Sequence, residues 1–415
     1  MLFVVRSLAT LLVPWLVFRW ATRAFPWLER VRRRRHALAG ALILLVVVDR
    51  ITDLLVIHWH SHGAALVHTG LVVLFTTFIL AAIPVAILNG ALWGLGRIGS
   101  SRAPPSAVGA SEPSSLEPPL PPLEAPSGIT RAQTTLRRMT RRQWAEGVGG
   151  AALFGATGSM LGWGMVRGRH AYVLREVPIR VPGLPRALDG YVIAQVSDIH
   201  AGAFVGEHEL DEGLALVRVA RPDLIVVTGD LVDFDPNYAP LAARKLADLP
   251  ARDGVSAVLG NHDYYAGADA VVATLAAAGI DVLRDSGRCI RPADGGGFAL
   301  LGVDDLSSEK HGRVGPRFAR AISTVNPELP RILLSHQPSS IEKWAGEVAV
   351  QLSGHTHGGQ INPGFSPVGL FLRYVAGAYH VKGTTLYVNS GFGTVGAPSR
   401  VGAPPEVTRI VLVAA

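Results

Sequence analysis

The feature that most constrains this chain is a long apolar stretch, from Ala64 to about Leu95, that contains no Asp, Glu, Lys or Arg. A helix needs about 20 mostly apolar residues to cross a bilayer, so this stretch predicts a transmembrane helix. Two further apolar stretches precede it, Leu2–Phe18 and Ala37 to about Trp59. We therefore expect residues 1–98 to form an α-helical transmembrane region with three spans.

Charged residues distinguish the second of these stretches, since Asp49, Arg50 and Asp53 all lie inside it. It is either a half-buried interfacial helix or a span in which Asp49 and Arg50 pair, which would lower the cost of burying them. A fourth apolar segment, Val148 to about Val166, is rich in glycine, as membrane helices often are. It predicts a fourth transmembrane helix over 146–167, with a soluble glycine-rich loop as the alternative.

The segment between the third and fourth predicted spans has the composition of a linker. From Ser100 to Gly128 it is rich in proline, serine and glutamate, and arginines follow. Such composition favours extended, unpacked conformations, so we assign residues 99–145 to a Pro/Ser-rich and basic linker. Its end, Thr140–Trp144, also resembles a twin-arginine export signal, which would place the residues that follow outside the cytoplasm.

The formal net charge of +7 is unevenly distributed along the chain. Residues 1–150 contain 16 arginines, no lysine and 7 acidic residues, whereas residues 151–415 contain 23 basic and 25 acidic residues. Arginine-rich loops stay on the cytoplasmic side of a membrane, and the two such loops here are separated by an even number of predicted spans. The sequence therefore predicts a multi-pass protein of the cell membrane with an extracytoplasmic C-terminal domain, and it disfavours a stable nucleic-acid partner.

The rest of the sequence predicts an α/β domain. Short apolar runs indicate buried strands, and amphipathic helical patterns lie between several of them, as at Glu207–Ala220, Pro240–Leu249 and Ala266–Ala278. This alternation is typical of a partly parallel sheet covered by helices. The predicted strands are Tyr191–Val196, Leu224–Thr228, Val255–Leu259, Phe298–Val303, Ile332–Leu334, Val348–Leu352, Leu386–Asn389 and Val407–Val413.

Five short polar blocks follow these strands, in the loops where α/β proteins place ligands. Five of the nine histidines after residue 150 lie in these blocks, a clustering that folding alone does not require. The side chains are carboxylate, carboxamide and imidazole without thiolate, a set that suits Mn²⁺, Fe or Zn²⁺. The blocks are Asp198-Ile199-His200, Gly229-Asp230-Leu231-Val232-Asp233, Gly260-Asn261-His262-Asp263, Ser335-His336-Gln337 and Gly354-His355-Thr356-His357-Gly358-Gly359-Gln360.

The number of donors favours two divalent metal ions, because seven exceed the need of one tetrahedral ion. Two ions that share a carboxylate can clamp a phosphoryl group and activate a water molecule as the nucleophile. The only cysteine, Cys289, lies outside the blocks, so this chemistry would proceed without a thiol.

These blocks, together with Thr385–Gly391 after them, resemble the calcineurin-like metallophosphoesterase superfamily, and in particular its membrane-associated or exported bacterial branch. The resemblance covers about residues 185–415. It implies a four-layer α/β/β/α metallophosphoesterase sandwich, preceded by the transmembrane region, that hydrolyses a phosphoester.

The resemblance also implies a role for each matching residue. Asp230 would bridge two ions, His262 would protonate the leaving oxygen as general acid, and Asp233 would orient His262, although Asp263 also flanks that histidine. The remaining implied ligands are Asp198, His200 and His357 for the first ion, and Asn261, His336 and His355 for the second.

Several alternatives stay open at this point. The membrane region suggests a lipid-linked or envelope substrate, but a non-catalytic membrane sensor of metal or phosphate and a nucleotide or nucleic-acid phosphodiesterase are the competing hypotheses. We expect Asp304 and Asp305 to be turn residues, whereas Tyr264 and Tyr265 either line the pocket or pack. The apolar segment Phe365–Tyr374 either forms a lipid-facing entrance or covers the core.

Overall fold

The computed structural model describes residues 35–59, 62–100, 140–290 and 296–415, together with a few isolated positions between 12 and 22. The first predicted span, Leu2–Phe18, lies almost entirely outside the described residues, and residues 101–139 of the predicted linker lie wholly outside them. The described residues form two compact units, one from 1–42 and 78–156 and the other from 43–77 and 157–415.

Three long helices correspond to the second, third and fourth predicted spans. They are α1 (Arg35–Trp59), α2 (His62–Ser100) and α3 (Arg141–Val166). Within the part of the chain that the structure describes, only Gly70–Leu92 of α2 is both long and apolar enough to cross a membrane. Helices therefore lie at three of the predicted spans, and one of these helices is long and apolar enough to cross a membrane.

Local contacts in α1 and α3 account for two of the sequence features noted above. Asp49 forms an ion pair with Arg50, and its Oδ1 also lies 3.1 Å from His68 Nδ1. The helix α3 begins at a capping box, in which Gln143 N donates to Thr140 Oγ1 (3.1 Å) and Thr140 N donates to Gln143 Oε1 (3.0 Å). Thr140 and Gln143 thus start a helix within the segment that resembles an export signal.

The C-terminal part contains two mixed six-stranded sheets. The first has the order β1-β12-β2-β3-β4-β5 and the second β10-β11-β9-β8-β7-β6. Pairing is parallel except between β12 and β2, β10 and β11, and β6 and β7. The strands are β1 (Val173–Val181), β2 (Val192–Val196), β3 (Leu224–Thr228), β4 (Val255–Val258), β5 (Asp281–Val282), β6 (Ser286–Ile290), β7 (Phe298–Gly302), β8 (Arg331–Leu334), β9 (Val350–Ser353), β10 (Gly377–Val381), β11 (Thr384–Val388) and β12 (Glu406–Ala414).

Successive strand residues enter different apolar cores, because side chains alternate between the two faces of a sheet. Val226 of the first sheet and Leu300 of the second belong to one buried core that both sheets share. The adjacent Val227 and Leu301 belong instead to cores that contain helical residues. The helices of this part are α4 (Glu207–Ala220), α5 (Ala239–Ala247), α6 (Asn261–Ala266), α7 (Ala268–Ala277), α8 (Phe318–Ser323) and α9 (Ile341–Trp344).

All eight predicted strands are present to within about two residues. The sequence did not predict β1, whose charged residues Arg175, Glu176 and Arg180 interrupt the apolar pattern. This strand lies at the edge of the first sheet and pairs in parallel with β12 along its full length. The sheet therefore begins at Val173, ahead of the boundary at 185 that the resemblance indicated.

Candidate metal centre

The predicted ligands all follow the carboxyl ends of central strands, where parallel strands bring their loops together. Asp198 follows β2, Asp230 follows β3 and Asn261 follows β4 in the first sheet, while His336 follows β8 and His355 follows β9 in the second. The two sheets thus contribute to one site at a common edge.

The backbone at these positions is unusual. Non-glycine residues rarely adopt positive φ, because the left-handed conformation brings Cβ too close to the backbone. Nine described non-glycine residues have positive φ, and five of them are predicted metal ligands. Such strain persists only where surrounding structure enforces it, and it clusters at functional sites. The five are Asp198 (φ 53°), His200 (φ 50°), Asp230 (φ 53°), His355 (φ 72°) and His357 (φ 52°).

The first group of ligands consists of Asp198, His200 and His357, all of which are buried. His357 Nε2 lies 3.1 Å from His200 Nε2 and 3.5 Å from Asp198 Oδ1. Both Asp198 oxygens also accept a hydrogen bond from the backbone N–H of His355, at 2.9 and 3.0 Å. One donor atom from each of the three side chains lies within 4.8 Å of the others, a spacing that one metal ion can bridge.

The second group consists of Asp230, His336, His355 and Asn261. His336 Nε2 lies 3.2 Å from Asp230 Oδ2, 3.2 Å from Asn261 Oδ1 and 3.1 Å from His355 Nδ1. Asp230 also faces the first group, since its Oδ2 lies 3.6 Å from His200 Nε2. The Asp230 carboxylate therefore stands between the two groups, as expected of a bridging ligand.

The arrangement around His336 fits a cation. His336 Nδ1 donates to the carbonyl oxygen of Thr228 at 2.9 Å, so a neutral His336 presents a lone pair at Nε2. That lone pair faces the Asp230 carboxylate and the Asn261 carboxamide oxygen, which also only accept hydrogen bonds. Acceptors that converge in this way attract a positive charge, which either a proton on His336 Nε2 or a metal ion supplies. A hydrogen bond from the distal nitrogen to a carbonyl is also the usual partner of a metal-binding histidine.

The pKa values of the buried histidines reflect the charges that surround them. Burial disfavours the charged form of His336, but the Asp230 carboxylate outweighs it and raises the pKa of His336 well above the ordinary value. Burial and the neighbouring His336 lower the pKa of His355, and burial and His200 lower the pKa of His357 well below the usual range. His355 and His357 are thus favoured as neutral imidazoles, the form that binds metal.

His262 and Asp233 form the predicted acid pair. His262 Nδ1 lies 2.9 Å from the Asp233 backbone oxygen and 3.1 Å from Asp233 Oδ1. Burial disfavours protonation, but the Asp230 and Asp233 carboxylates outweigh it and raise the pKa of His262 to about 9. Burial would raise the pKa of Asp233, yet hydrogen bonds from His200 and His262 lower it to about 2. His262 is therefore protonated at neutral pH, with Nδ1 engaged by Asp233.

Asp263, the other acid beside His262, has a different role. Its carboxylate accepts backbone hydrogen bonds from Gly260 and Asp230 at one oxygen, and from Leu231 and Val232 at the other, over 2.9–3.3 Å. Burial and the nearby Asp230 raise the pKa of Asp263 to about 7. Asp263 thus joins the loops that carry Asp230 and Asn261, which leaves Asp233 as the acidic partner of His262.

The other residues considered at the sequence level also have assigned contacts. Asp305 caps a 3₁₀ turn by accepting from Ser307 N at 2.7 Å, which confirms a turn role. Asp304 accepts from the hydroxyl of buried Tyr264 at 2.5 Å. Tyr265 is 40% exposed, and its ring centroid lies 5.1 Å from that of His262. Tyr265 therefore borders the site, whereas Tyr264 packs.

Sequence reasoning missed Arg400, which is only 1% exposed. Its Nη2 lies 3.3 Å from His357 Nδ1, so this guanidinium contacts a predicted metal ligand directly. Arg400 lies in a loop after the last polar block, and no strand or histidine beside it marks it in the sequence. Only the structure marks Arg400 as important, because a buried arginine is unfavourable unless all its N–H groups are hydrogen-bonded.

Known proteins with a metallophosphoesterase domain are similar to this chain. Residues 191–359 match the family described as calcineurin-like phosphoesterase. The chain is 33% identical over 287 residues to the uncharacterized metallophosphoesterase YkuE of Bacillus subtilis, which covers 67% of this chain and 99% of that protein. It is also 33% identical over 259 residues to a Danio rerio transmembrane protein with metallophosphoesterase domain, which covers 60% of this chain and 59% of that protein.

The solved structures that match the chain are more distant in sequence. The protein TT1561 of Thermus thermophilus matches with a TM-score of 0.34 at 14% identity, covering 49% of this chain and 90% of that one. The NAD nucleotidase of Haemophilus influenzae matches with a TM-score of 0.32 at 17% identity, covering 50% of this chain and 45% of that one.

Proposed function

This chain belongs to the calcineurin-like metallophosphoesterase family, and from that premise we propose that it hydrolyses a phosphoester at a dinuclear metal site. The observation that carries the proposal is the position of Asp230, whose Oδ2 lies 3.6 Å from His200 Nε2 and 3.2 Å from His336 Nε2. A carboxylate between two groups of buried donors suits two ions better than one. The two sheets with a shared core also support the α/β/β/α sandwich as the architecture of this domain.

The proposed ligands follow the two groups. We propose two divalent ions, of Mn, Fe or Zn, which suit mixed imidazole and oxygen ligands. When bound, such ions neutralise phosphate charge and provide an activated water as the nucleophile. The ligands are Asp198, His200 and His357 for the first ion, Asn261, His336 and His355 for the second, and Asp230 for both.

His262 is the proposed general acid. Cleavage of a phosphoester leaves an oxygen that departs more easily with a proton. With Nδ1 held by Asp233, the His262 ring has Nε2 left for the substrate, and the raised pKa keeps the proton available at neutral pH. Asp233 holds the orientation of the ring and compensates its charge.

We further propose that the substrate is lipid-linked and that the domain is extracytoplasmic. Gly70–Leu92 is long and apolar enough to cross a membrane, and an anchor there would hold the site near a bilayer. The loop after the last polar block supports this class of substrate, because Phe365, Leu370 and Phe371 are 61%, 76% and 85% exposed. Thr356 Oγ1 donates to the carbonyl of Val375 at 2.5 Å, which ties the loop to the histidine block.

The central experiment measures hydrolysis and metal content of the purified full chain. We expect Mn²⁺-dependent hydrolysis of nitrophenyl phosphate mono- or diesters, loss on chelation, and recovery when Mn²⁺ is restored. The variant Asp230→Asn should be inactive, whereas Asp235→Asn should be unaffected, because Asp235 only accepts a hydrogen bond from Asn237 N and asparagine preserves that cap. Stoichiometric Mn²⁺ binding without hydrolysis of either ester would refute the enzyme and favour a sensor.

Two further measurements test the substrate and the orientation. A lipid phosphate in mixed micelles should be hydrolysed with a higher kcat/KM than its water-soluble headgroup analogue, and preference for a nucleotide diester would instead favour a nucleotide phosphodiesterase. A reporter fused after residue 170 should be active only outside the cytoplasm. Cytoplasmic activity of that fusion would overturn the proposed orientation.

A further inference from the structure

We propose that Arg400 is a positioning residue for the metal ligand His357, and that the C-terminal end of α3 sets the position of Arg400. The helix α3 would then be part of the support of the site. This inference rests on the proposed metal site, and its evidence is a continuous set of contacts from α3 to His357.

The first step is the burial of the Arg400 guanidinium. Among the described residues, no carboxylate lies within ion-pair distance of it. Burial lowers the pKa of Arg400 to about 10, still far above neutrality, so the group is charged. Its N–H groups donate instead to backbone carbonyls, over 2.5–3.0 Å. These carbonyls belong to Ser390, Gly391, Gly393 and Ala403.

The second step is the position of the segment that accepts these hydrogen bonds, next to the metal ligands. The segment that Arg400 contacts lies directly beside the first ligand group, since Phe392 N donates to Ser197 O at 2.8 Å and Gly393 N donates to Asp198 O at 2.7 Å. Arg400 Nη2 itself lies 3.3 Å from His357 Nδ1. Arg400 Nη1 also donates to the His357 backbone oxygen at 3.5 Å, so the guanidinium holds the backbone of this ligand, whose φ is 52°. Groups that hold a ligand in place affect metal affinity even when they do not touch the metal themselves.

The third step is the backbone of the loop itself. Arg400 N donates to Gly164 O at 3.2 Å, and Ser399 Oγ donates to Leu161 O at 3.0 Å. Gly164 lies in the last turn of α3, where carbonyls have no partner within the helix, so the loop caps the end of α3. Residues from Thr157 onward belong to the same compact unit as this loop.

The fourth step is the closeness of this approach, which only glycine permits. A Cβ at Gly168 would lie 1.9 Å from the Arg400 backbone oxygen, and a Cβ at Gly164 would lie 2.3 Å from Ser399 Oγ and 2.9 Å from Arg400 O. By contrast, a Cβ at Gly162, on the same helix, would meet nothing within 4 Å. Substitution at Gly164 or Gly168 must therefore displace Arg400, whereas substitution at Gly162 leaves it in place.

The test measures Mn²⁺ affinity of the full chain by calorimetry, so it does not depend on catalysis. We expect Gly164→Ala and Gly168→Ala to weaken binding, with Gly162→Ala unchanged as the matched control. Arg400→Gln should weaken it about 10–100-fold, the usual cost of losing an outer partner, and Arg400→Lys should restore part of it. Equal affinity for all these variants, with only their thermal stability altered, would overturn the proposal.

A double-mutant cycle separates positioning from a general structural role. In a His357→Gln background, Arg400→Gln should cause little further loss of Mn²⁺ affinity, because Arg400 acts on the metal through the placement of the His357 imidazole. Additive losses would refute a role through His357. If the wild-type chain binds Mn²⁺ but hydrolyses nothing, the proposed function fails while this inference stands on the binding data, and a wild-type chain that binds no Mn²⁺ overturns both.

Discussion

Replacing His262 by asparagine separates acid catalysis from metal binding. The carboxamide can still donate to the Asp233 backbone oxygen that accepts from His262 Nδ1 at 2.9 Å. The His262 backbone N–H, which donates to Asp230 Oδ1 at 2.7 Å, is unaffected by the change. We therefore expect His262→Asn to preserve Mn²⁺ binding and to remove only the proton donor.

The size of the effect follows from the protonation of His262. Because the flanking carboxylates raise the pKa of His262 to about 9, the ring holds its proton at pH 7, and the variant loses the contribution of the acid. General acid catalysis contributes about 10²–10⁴-fold, or about 3–5 kcal/mol of transition-state stabilisation. Because the folded protein holds this proton, activity should decline as pH rises toward 9, and bound cations beside Asp230 would move that decline to lower pH.

The assay compares two esters that share the phosphoryl group but differ in leaving group. An alkyl leaving group needs the proton and should show the full loss of kcat/KM. A nitrophenyl leaving group departs as a stable anion and should show a much smaller loss. Equal losses for both esters, or a loss explained by weaker Mn²⁺ binding, would refute the assignment of His262 as the acid.

The other predictions concern single contacts. Asp233→Asn should reduce kcat/KM less than His262→Asn and should move the alkaline decline of the pH–rate profile to lower pH, because one of the two carboxylates that raise the pKa of His262 is lost. Asp230→Asn should weaken Mn²⁺ binding at both sites, by more than the 10–100-fold typical of an outer partner, as measured by metal content after dialysis. Tyr387→Phe removes a 2.5 Å hydrogen bond to buried Glu406, and it should lower the free energy of unfolding by about 1.5–3 kcal/mol in denaturant titrations while leaving Mn²⁺ affinity unchanged.

The sequence was sufficient where one local signal decided the structure. The strand Leu224–Thr228 is a continuous apolar run, and its observed bounds match the prediction. The strand Val173–Val181 was missed because it lies at a sheet edge, where four of its nine residues are exposed and three of these four are charged. Its pairing with β12 joins residues more than 200 positions apart, which no local pattern reveals.

The site, like the fold, contains some features that the sequence predicts and others that only the structure reveals. The ligands were predictable because each follows an apolar strand, so topology brings them together at one edge. The choice between Asp233 and Asp263 required the structure, since only the geometry shows that Asp263 accepts backbone N–H groups. Arg400 required it even more, because its partners are backbone carbonyls and carbonyls leave no trace in the sequence.

The left-handed backbone at the ligand positions lowers stability in exchange for the metal centre. An L-residue in this conformation costs about 1–2 kcal/mol relative to the ordinary conformation, a cost that glycine does not bear. Glycine at Asp198, His200 or Asp230 would relieve that cost and remove a ligand at the same time. Selection of this protein for heat resistance without a demand for activity should therefore erode its own metal centre first.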